Sequence, residues 1–201
     1  MDQTKKDDLI PTADKCTYTS CYCEENVWKL CEHVKEKNPD RLAYCYCVFI
    51  SNENKQIPLW HQKSSHSPDG VVVWDYHVIF VYNEGDISLV YDLDTDLPFP
   101  CNFTEYAAKG IRPNSTIKTQ YYRKFRVITG SEFLSTFASD RSHMLDANKQ
   151  WLSEPPPYPC LQTPDSTNNI QDFISMDPEV GFGTVLNFDG LVGKFSCNLH
   201  T

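Results

Sequence analysis

Residues 71–93 read VVVWDYHVIFVYNEGDISLVYDL, two apolar runs on either side of a short polar turn. Runs rich in Val, Ile and aromatic residues that flank a Gly-containing turn are typical of an antiparallel β-hairpin. The sequence therefore predicts strands over 71–82 and 87–93, joined by a turn at 83–86. If Tyr82 pairs with Ile87, His77 lies directly opposite Asp92 and their side chains share one face. A three-residue or bulged loop would instead place Asp92 on the other face.

The same patterning extends to the rest of the chain. Residues 24–37 carry Val27, Leu30 and Cys31 on one apolar stripe, which predicts an amphipathic helix. Further strands are predicted over 42–51, 57–61, 121–129 and 184–188. Short helices are predicted over 104–109, 131–138, 169–175 and 191–195. With no repeat and no sharp composition break, we expect one α+β domain over residues 16–201 with a mostly antiparallel sheet, preceded by a flexible N-terminus over residues 1–15.

The composition excludes several classes of function. The 201 residues carry 18 Lys and Arg against 27 Asp and Glu, a formal net charge of −9. Such a balance disfavours nucleic acids and anionic membranes as partners. No apolar run reaches the roughly 18 residues of a membrane span, and the first residues lack the apolar core of a signal peptide. We therefore expect a reducing compartment, in which the nine cysteines are free thiols, metal ligands or a nucleophile and not disulfides.

Cys23 is the candidate nucleophile, because it lies at the start of the predicted helix. Unpaired N–H groups of a first helical turn and a nearby imidazolium lower a thiol pKa, and those N–H groups also stabilise an oxyanion. With His77 as base and Asp92 as the carboxylate that orients it, Cys23 would complete a thiol acyl-transfer triad. Cys21 is an alternative nucleophile, since the pattern does not define the first helical residue. Each residue taken alone could also be structural.

The cysteines allow a second interpretation, a zinc-stabilised interaction module. Soft ligands for zinc occur in the spacing Cys16-x4-Cys21-x-Cys23-x7-Cys31-x-His33. This spacing lacks clean C-x2-C pairs, so we favour the thiol enzyme and expect no metal and no cofactor. The remaining histidines show no ligand spacing, and we expect them at surface or structural positions: His33, His61, His66, His143 and His200.

Longer strings of sequence resemble one known family. They are CYCEENVWKLC at 21–31, VFISNE at 48–53, WDYHV at 74–78, YDLDT at 91–95, LPFP at 97–100, KFRVI at 124–128, FASDRSHM at 137–144, PPPYP at 155–159 and DFISM at 172–176. In this order they span about residues 16–195, apart from 107–119, for which we find no likeness. They resemble the protein N-terminal glutamine amidohydrolases.

The resemblance implies a cysteine amidase with an α-β-α sandwich of the transglutaminase or papain type. The family's catalytic residues correspond to Cys23, His77 and Asp92, which favours Asp92 over Asp94. It further implies conversion of the N-terminal glutamine of a protein or peptide to glutamate, with release of ammonia, upstream of arginylation in the N-degron route. A monomer in the cytoplasm and nucleus that needs no metal is implied as well.

Selectivity for a terminal residue requires that the enzyme bind a free α-ammonium group. Glu24, beside Cys23, and Asp75, on the predicted face of His77, are the candidate substrate-binding carboxylates, although both could be structural. Two alternatives to the amidase remain open at this point. One is a transglutaminase or cysteine protease that uses the same triad, and the other is the zinc-stabilised module.

Overall fold

The computed structural model describes residues 9–196, which form helices and strands in a single layered arrangement. The strands are β1 Cys45–Ser51, β2 Ile57–Leu59, β3 Val72–Trp74, β4 His77–Glu84, β5 Ile87–Tyr91, β6 Cys101–Asn102, β7 Lys124–Thr129 and β8 Thr184–Leu186. The helices are α1 Cys23–Lys37, α2 Phe103–Tyr106, α3 Gly130–Thr136, α4 Ile170–Ile174 and α5 Phe188–Phe195. A π-helical turn, Ala107–Ile111, continues α2. Short 3₁₀ segments occupy Ala13–Lys15, Pro39–Tyr44, Asn114–Thr116, Thr119–Tyr121 and Ser142–Met144.

Six strands form one antiparallel sheet in the order β6-β5-β4-β1-β7-β8, and β2 pairs with β3 in a separate antiparallel sheet. In β1, Cys47 and Phe49 face one apolar cluster, whereas Val48 and Ile50 face another, as the two-residue period of a strand requires. Helices α1, α3 and α4 contribute to the first cluster, and α2 and α5 to the second. The sheet is thus covered by helices on both faces, and the predicted α+β class with a mostly antiparallel sheet is confirmed.

The predicted register of the hairpin is wrong by two residues. Tyr82 pairs with Leu89, not with Ile87, and Glu84 pairs with Ile87 across the two-residue turn Gly85–Asp86. Gly85 adopts φ +58°, a conformation open to glycine, so the turn is tighter than expected. Because β5 ends at Tyr91, ladder pairing does not determine where Asp92 lies.

The apolar run predicted as one strand over 71–82 is divided. Its first part, β3, pairs with β2 in the small sheet, and its second part, β4, lies in the middle of the large sheet. Asp75 and Tyr76 connect the two strands, and the hydroxyl of Ser51 donates a 2.7 Å hydrogen bond to the carbonyl oxygen of Asp75. The expectation that Asp75 lies within one continuous strand with His77 is therefore wrong.

A buried ion pair and two buried apolar residues near the N-terminus tie further segments to the side of the sheet that α1 covers. The buried guanidinium of Arg141 binds both carboxylate oxygens of Glu25 in α1 at 2.8 Å and donates to the carbonyl oxygens of Pro156 and Tyr158. This ion pair holds the start of α1 against the proline-rich segment.

Leu9 and Ile10, which belong to the stretch expected to be flexible, are buried in the first cluster because they are apolar. Residues 1–8 lie outside the described residues.

Within the described part of the chain, no helix combines the length and apolar character that a bilayer crossing needs.

Candidate active site

The three predicted catalytic residues meet at one end of the sheet. Cys23 is the first residue of α1, His77 is the first residue of β4, and Asp92 directly follows β5. Helix α1 packs on β4, which brings its first residue to the start of that strand. All three are buried, with exposures of 9% for Cys23, 1% for His77 and 3% for Asp92. Cys23 and His77 line a cavity of about 390 Å³, a volume suited to a small ligand group.

Asp92 holds the imidazole of His77 in one orientation. His77 Nε2 and Asp92 Oδ1 are 3.1 Å apart, and the indole of Trp74 stacks on the imidazole at 5.5 Å between ring centres. Asp92 Oδ1 also accepts from the backbone N–H of Asp94 at 2.9 Å, and its Oδ2 accepts from the hydroxyl of Tyr106 at 2.7 Å. Within residues 9–196, His77 Nδ1 is buried without a hydrogen-bond partner. Nδ1 is therefore the ring nitrogen available for proton transfer.

The pKa values of this pair shift in opposite directions, because each group stabilises the charged form of the other. Burial lowers the pKa of His77, but the charge of Asp92 and its hydrogen bond outweigh burial, and the net pKa is raised. Burial raises the pKa of Asp92, but the charge of His77 and the donated hydrogen bonds outweigh it, and the net pKa is lowered. Asp92 thus makes His77 a stronger base than a free imidazole.

The thiol of Cys23 differs from the expectation. Its pKa is raised well above the ordinary value, mainly by burial, then by the charges of Glu24 and Asp94. The backbone N–H of Val78 opposes this effect. The predicted lowering of the thiol pKa is therefore wrong, because burial and the nearby carboxylates outweigh the hydrogen bond with the backbone of Val78. A thiolate at this position requires that a base remove the proton.

Cys21, the alternative nucleophile, also lines the cavity. It is exposed, adopts φ +68° and precedes α1, with its sulfur 3.6 Å from the hydroxyl oxygen of Ser20. The residue before the helix, Tyr22, supplies no side-chain hydrogen bond to the first turn. The first-turn N–H groups therefore lie beside Cys23, which places Cys23 at the helix terminus and Cys21 outside it.

The two candidate carboxylates for substrate binding occupy different places. Asp75 lines the cavity, and one of its carboxylate oxygens accepts from the backbone N–H of Tyr76 at 2.8 Å. Glu24 is fully buried, and its Oε2 accepts from the hydroxyl of Tyr76 at 3.0 Å and from the Cys23 thiol at 3.6 Å. Burial, above all, raises the pKa of Glu24 to about 7. Asp75 can thus contact a ligand in the cavity, whereas Glu24 accepts hydrogen bonds from Tyr76 and Cys23.

Three residues of the site were not predicted from the sequence as site residues. Asp94 lines the cavity and accepts a 2.6 Å hydrogen bond from the hydroxyl of Tyr18. His143, expected at a surface or structural position, lines the cavity as well, with Nε2 3.4 Å from the hydroxyl of Tyr76. Tyr106, the donor to Asp92, lies in a short helix that no motif marks. The FASDRSHM string at 137–144 was the one available signal for His143.

The cysteines of the zinc interpretation do not converge in the described structure. Between residues 9 and 196, the three side chains that offer closely spaced ligand atoms are His77, Asp92 and Asp94, with those atoms within 4.8 Å of one another. The eight described cysteines are thiols, and the sulfur atoms of Cys31 and Cys47 lie 3.4 Å apart in the core. Cys197 lies outside the described residues.

Comparisons with known proteins agree on one family. The N-terminal glutamine amidase family matches residues 18–195. The chain is 51% identical over 187 residues to the protein N-terminal glutamine amidohydrolase of Bos taurus, covering 92% of this chain and 90% of the relative. It is 50% identical to that of Homo sapiens, covering 92% and 90%, and 43% identical to that of Drosophila melanogaster, covering 96% and 95%.

Proposed function

The chain belongs to the N-terminal glutamine amidase family, and on that premise we propose that it hydrolyses the side-chain amide of an N-terminal glutamine in proteins and peptides. The products are an N-terminal glutamate and ammonia. The observation that supports the proposal most is the placement of Cys23 at a helix start, in one cavity with a histidine that a buried carboxylate orients. Cys23, His77 and Asp92 are the catalytic residues of this proposal.

In the first half of the reaction, His77 Nδ1 takes the proton of the Cys23 thiol as the sulfur attacks the carboxamide carbon. The raised pKa of His77 favours this transfer, and the raised pKa of the thiol makes it necessary. Backbone N–H groups at the start of α1 stabilise the oxyanion. The C–N bond then breaks, the imidazolium protonates the departing nitrogen, and ammonia leaves a thioester on Cys23.

In the second half, His77 removes a proton from a water molecule that attacks the thioester carbon. The C–S bond breaks, the sulfur recovers its proton from the imidazolium, and glutamate is released. Asp92 remains ionised throughout, held by Tyr106 and the backbone N–H of Asp94, and it stabilises the imidazolium in both halves.

A carboxylate at the cavity wall can bind the free α-ammonium group of the chain terminus. We assign contact with the substrate α-ammonium to Asp75, which lines the cavity, and a supporting role to Glu24, which acts through the hydroxyl of Tyr76. Neutralising Asp75 as Asp75→Asn should raise KM for a glutamine-terminated peptide more than it lowers kcat, because the lost contact is made in both ground and transition states. An unchanged KM would contradict this assignment.

The remaining parts of the proposal rest on the sequence and on its resemblance to the family. They are a core of the transglutaminase or papain type, one catalytic domain over 16–201, action as a monomer in the cytoplasm and nucleus upstream of arginylation in the N-degron route, and catalysis without a metal.

Mass spectrometry of a peptide that begins with glutamine tests the proposal. We expect conversion of the free peptide to the glutamate form with stoichiometric ammonia, and no conversion of the same peptide acetylated at its N-terminus. Incorporation of an added amine would indicate a transglutaminase, and cleavage of the peptide backbone would indicate a protease. Equal conversion of both peptides would contradict recognition of the terminus.

A further inference from the structure

Asp94 is a second carboxylate in the catalytic cavity besides Asp75, and the proposed reaction steps do not use its side chain. One of its oxygens lies within 4.8 Å of a ring nitrogen of His77 and of a carboxylate oxygen of Asp92. The hydroxyl of Tyr18 donates a 2.6 Å hydrogen bond to Asp94 Oδ1, which orients the carboxylate. A carboxylate has two oxygens and accepts several hydrogen bonds, so Asp94 keeps the capacity to bind a ligand beside the triad.

The negative charge of Asp94 acts on the reacting groups. After burial and the charge of Glu24, it contributes to the raised pKa of the Cys23 thiol. Burial lowers the pKa of His77, and the charges of Asp92 and then of Asp94 raise it. Among the residues that line the cavity, the lysine is exposed Lys55, whose ammonium donates to a glutamine side chain. The inner part of the cavity therefore favours a bound cation.

The proposed thioester on Cys23 carries a nucleophile that competes with water. Four bonds separate the α-nitrogen of the substrate from the thioester carbon, so these atoms are at most about 5 Å apart. If the neutral α-amine attacks that carbon, an N–C bond forms, the C–S bond breaks and one amine proton passes to the sulfur. The product is then the five-membered lactam of pyroglutamate, not glutamate, and no water is consumed.

Cyclisation is the faster reaction for a neutral, well-placed amine. Intramolecular reactions with good orientation reach effective molarities of about 10⁵–10⁸ M, which water does not match. A free α-amino group has a pKa of about 7.7–8.0, so part of it is neutral near physiological pH. An ammonium group has no lone pair and cannot attack. Hydrolysis therefore requires that the enzyme keep the α-amino group protonated until water has cleaved the thioester.

We propose that Asp94, together with Asp75, holds the substrate α-amino group as an ammonium during the thioester stage and so directs the intermediate to hydrolysis. This proposal rests on the proposed function, which supplies both the thioester and the free α-amine. The α-nitrogen stays tethered close to Cys23, so a carboxylate beside the triad remains within its reach. An ammonium has three N–H donors and can bind both carboxylates at once.

Mass spectrometry of the products from a glutamine-terminated peptide tests this role, since the glutamate and pyroglutamate forms differ by one water molecule. The wild-type protein should yield glutamate. An opposite charge within about 4–6 Å favours a charged group by about tenfold or more. Asp94→Asn should therefore raise the ratio of pyroglutamate to glutamate by about tenfold or more, while ammonia release continues.

Three controls accompany this measurement. Incubation with Cys23→Ala gives the spontaneous cyclisation of the peptide, which is subtracted. Asp96→Asn changes a carboxylate that is 59% exposed and outside the catalytic cavity, and it should keep the wild-type product ratio. Asp94→Glu restores the charge and should return the ratio towards the wild-type value, a rescue that a merely structural role would not give.

The outcomes separate this proposal from the proposed function. If the wild-type protein releases no ammonia, the proposed function fails and the role of Asp94 fails with it. If wild type and Asp94→Asn both release ammonia and both yield only glutamate, the role of Asp94 alone is overturned. Complete loss of ammonia release in Asp94→Asn, or a product ratio in Asp94→Glu as high as in Asp94→Asn, would also overturn it.

Discussion

Replacing Glu24 with glutamine should stabilise the protein at alkaline pH. Glu24 is fully buried between the Cys23 thiol and the hydroxyl of Tyr76, and no lysine or arginine hydrogen-bonds it within the described residues. Glutamine has nearly the same shape, keeps a carbonyl oxygen to accept from Tyr76, and carries no charge. The substitution therefore removes the energetic penalty of a buried carboxylate without opening a cavity.

The magnitude follows from the pKa of Glu24, which burial raises from 4.5 to about 7. Below pH 4.5 the carboxyl is protonated in both folded and unfolded protein. Between pH 4.5 and 7 the unfolded chain loses the proton and the folded protein keeps it, so stability falls as pH rises. Above pH 7 the full penalty of about 3 kcal/mol is present, and Glu24→Gln should recover up to that amount.

Urea denaturation of both proteins across pH 4–8 measures this difference. The two should have similar free energies of unfolding at pH 4, and the glutamine variant should be the more stable at pH 8. Glu36→Gln, an exposed position on the same helix, is the matched control and should follow the wild-type pH profile. Parallel pH profiles for wild type and Glu24→Gln would refute the reasoning.

The same substitution has a second expected effect. Because the charge of Glu24 raises the pKa of the Cys23 thiol, its removal should lower that pKa and speed alkylation of Cys23 by iodoacetamide at a fixed pH. KM for a glutamine-terminated peptide should change little, since Glu24 does not line the cavity. A large rise in KM would instead show that Glu24 itself binds the substrate α-ammonium.

Tyr106→Phe should destabilise the protein by about 1.5–3 kcal/mol, the range for a hydrogen bond to a charged group. It should also shift the acid limb of the pH profile of kcat/KM to higher pH, because Asp92 loses a hydrogen-bond donor. An unshifted acid limb would contradict this role of Tyr106. Arg141→Met should cost about 3–5 kcal/mol in urea denaturation, because it leaves the buried carboxylate of α1 unpaired. A decrease in the free energy of unfolding of less than about 1 kcal/mol would refute this role of the ion pair. Gly183→Ala should destabilise by about 1–3 kcal/mol, since φ is +67° and a Cβ would overlap a carbonyl oxygen of β7. Gly193→Ala in α5, where a Cβ meets open space, should be neutral or stabilising, and similar stabilities for the two variants would count against this account.

Local patterns predicted the elements of the fold better than their pairing. The apolar stripe predicted the bounds of α1 to within one residue, because a helix that buries one face repeats apolar residues with the helical period. The hairpin was predicted, but its register depended on a turn that Gly85 tightens. The break at Asp75 was missed, since an apolar run does not reveal that its two halves pair with different strands.

For the catalytic site too, local sequence strings predicted the residues better than the pairing of strands did. The register argument paired His77 with Asp92 for a wrong reason, because the chain leaves the sheet after Tyr91 and Asp92 reaches His77 from beyond the ladder. The family strings pointed to the same residue without any register. Residues contributed by distant segments, such as His143 and Tyr106, follow from tertiary packing, and no spacing in the sequence encodes that packing.

The most direct test of the proposed chemistry is ammonia release from a glutamine-terminated peptide by Cys23→Ala and Cys21→Ala, measured beside the wild-type protein. The two thiols line one cavity two residues apart, so each variant controls for the other. We predict that Cys23→Ala releases no ammonia above the uncatalysed rate and that Cys21→Ala retains activity. Retained activity in Cys23→Ala, or its loss in Cys21→Ala alone, would contradict the assignment of Cys23 as the nucleophile.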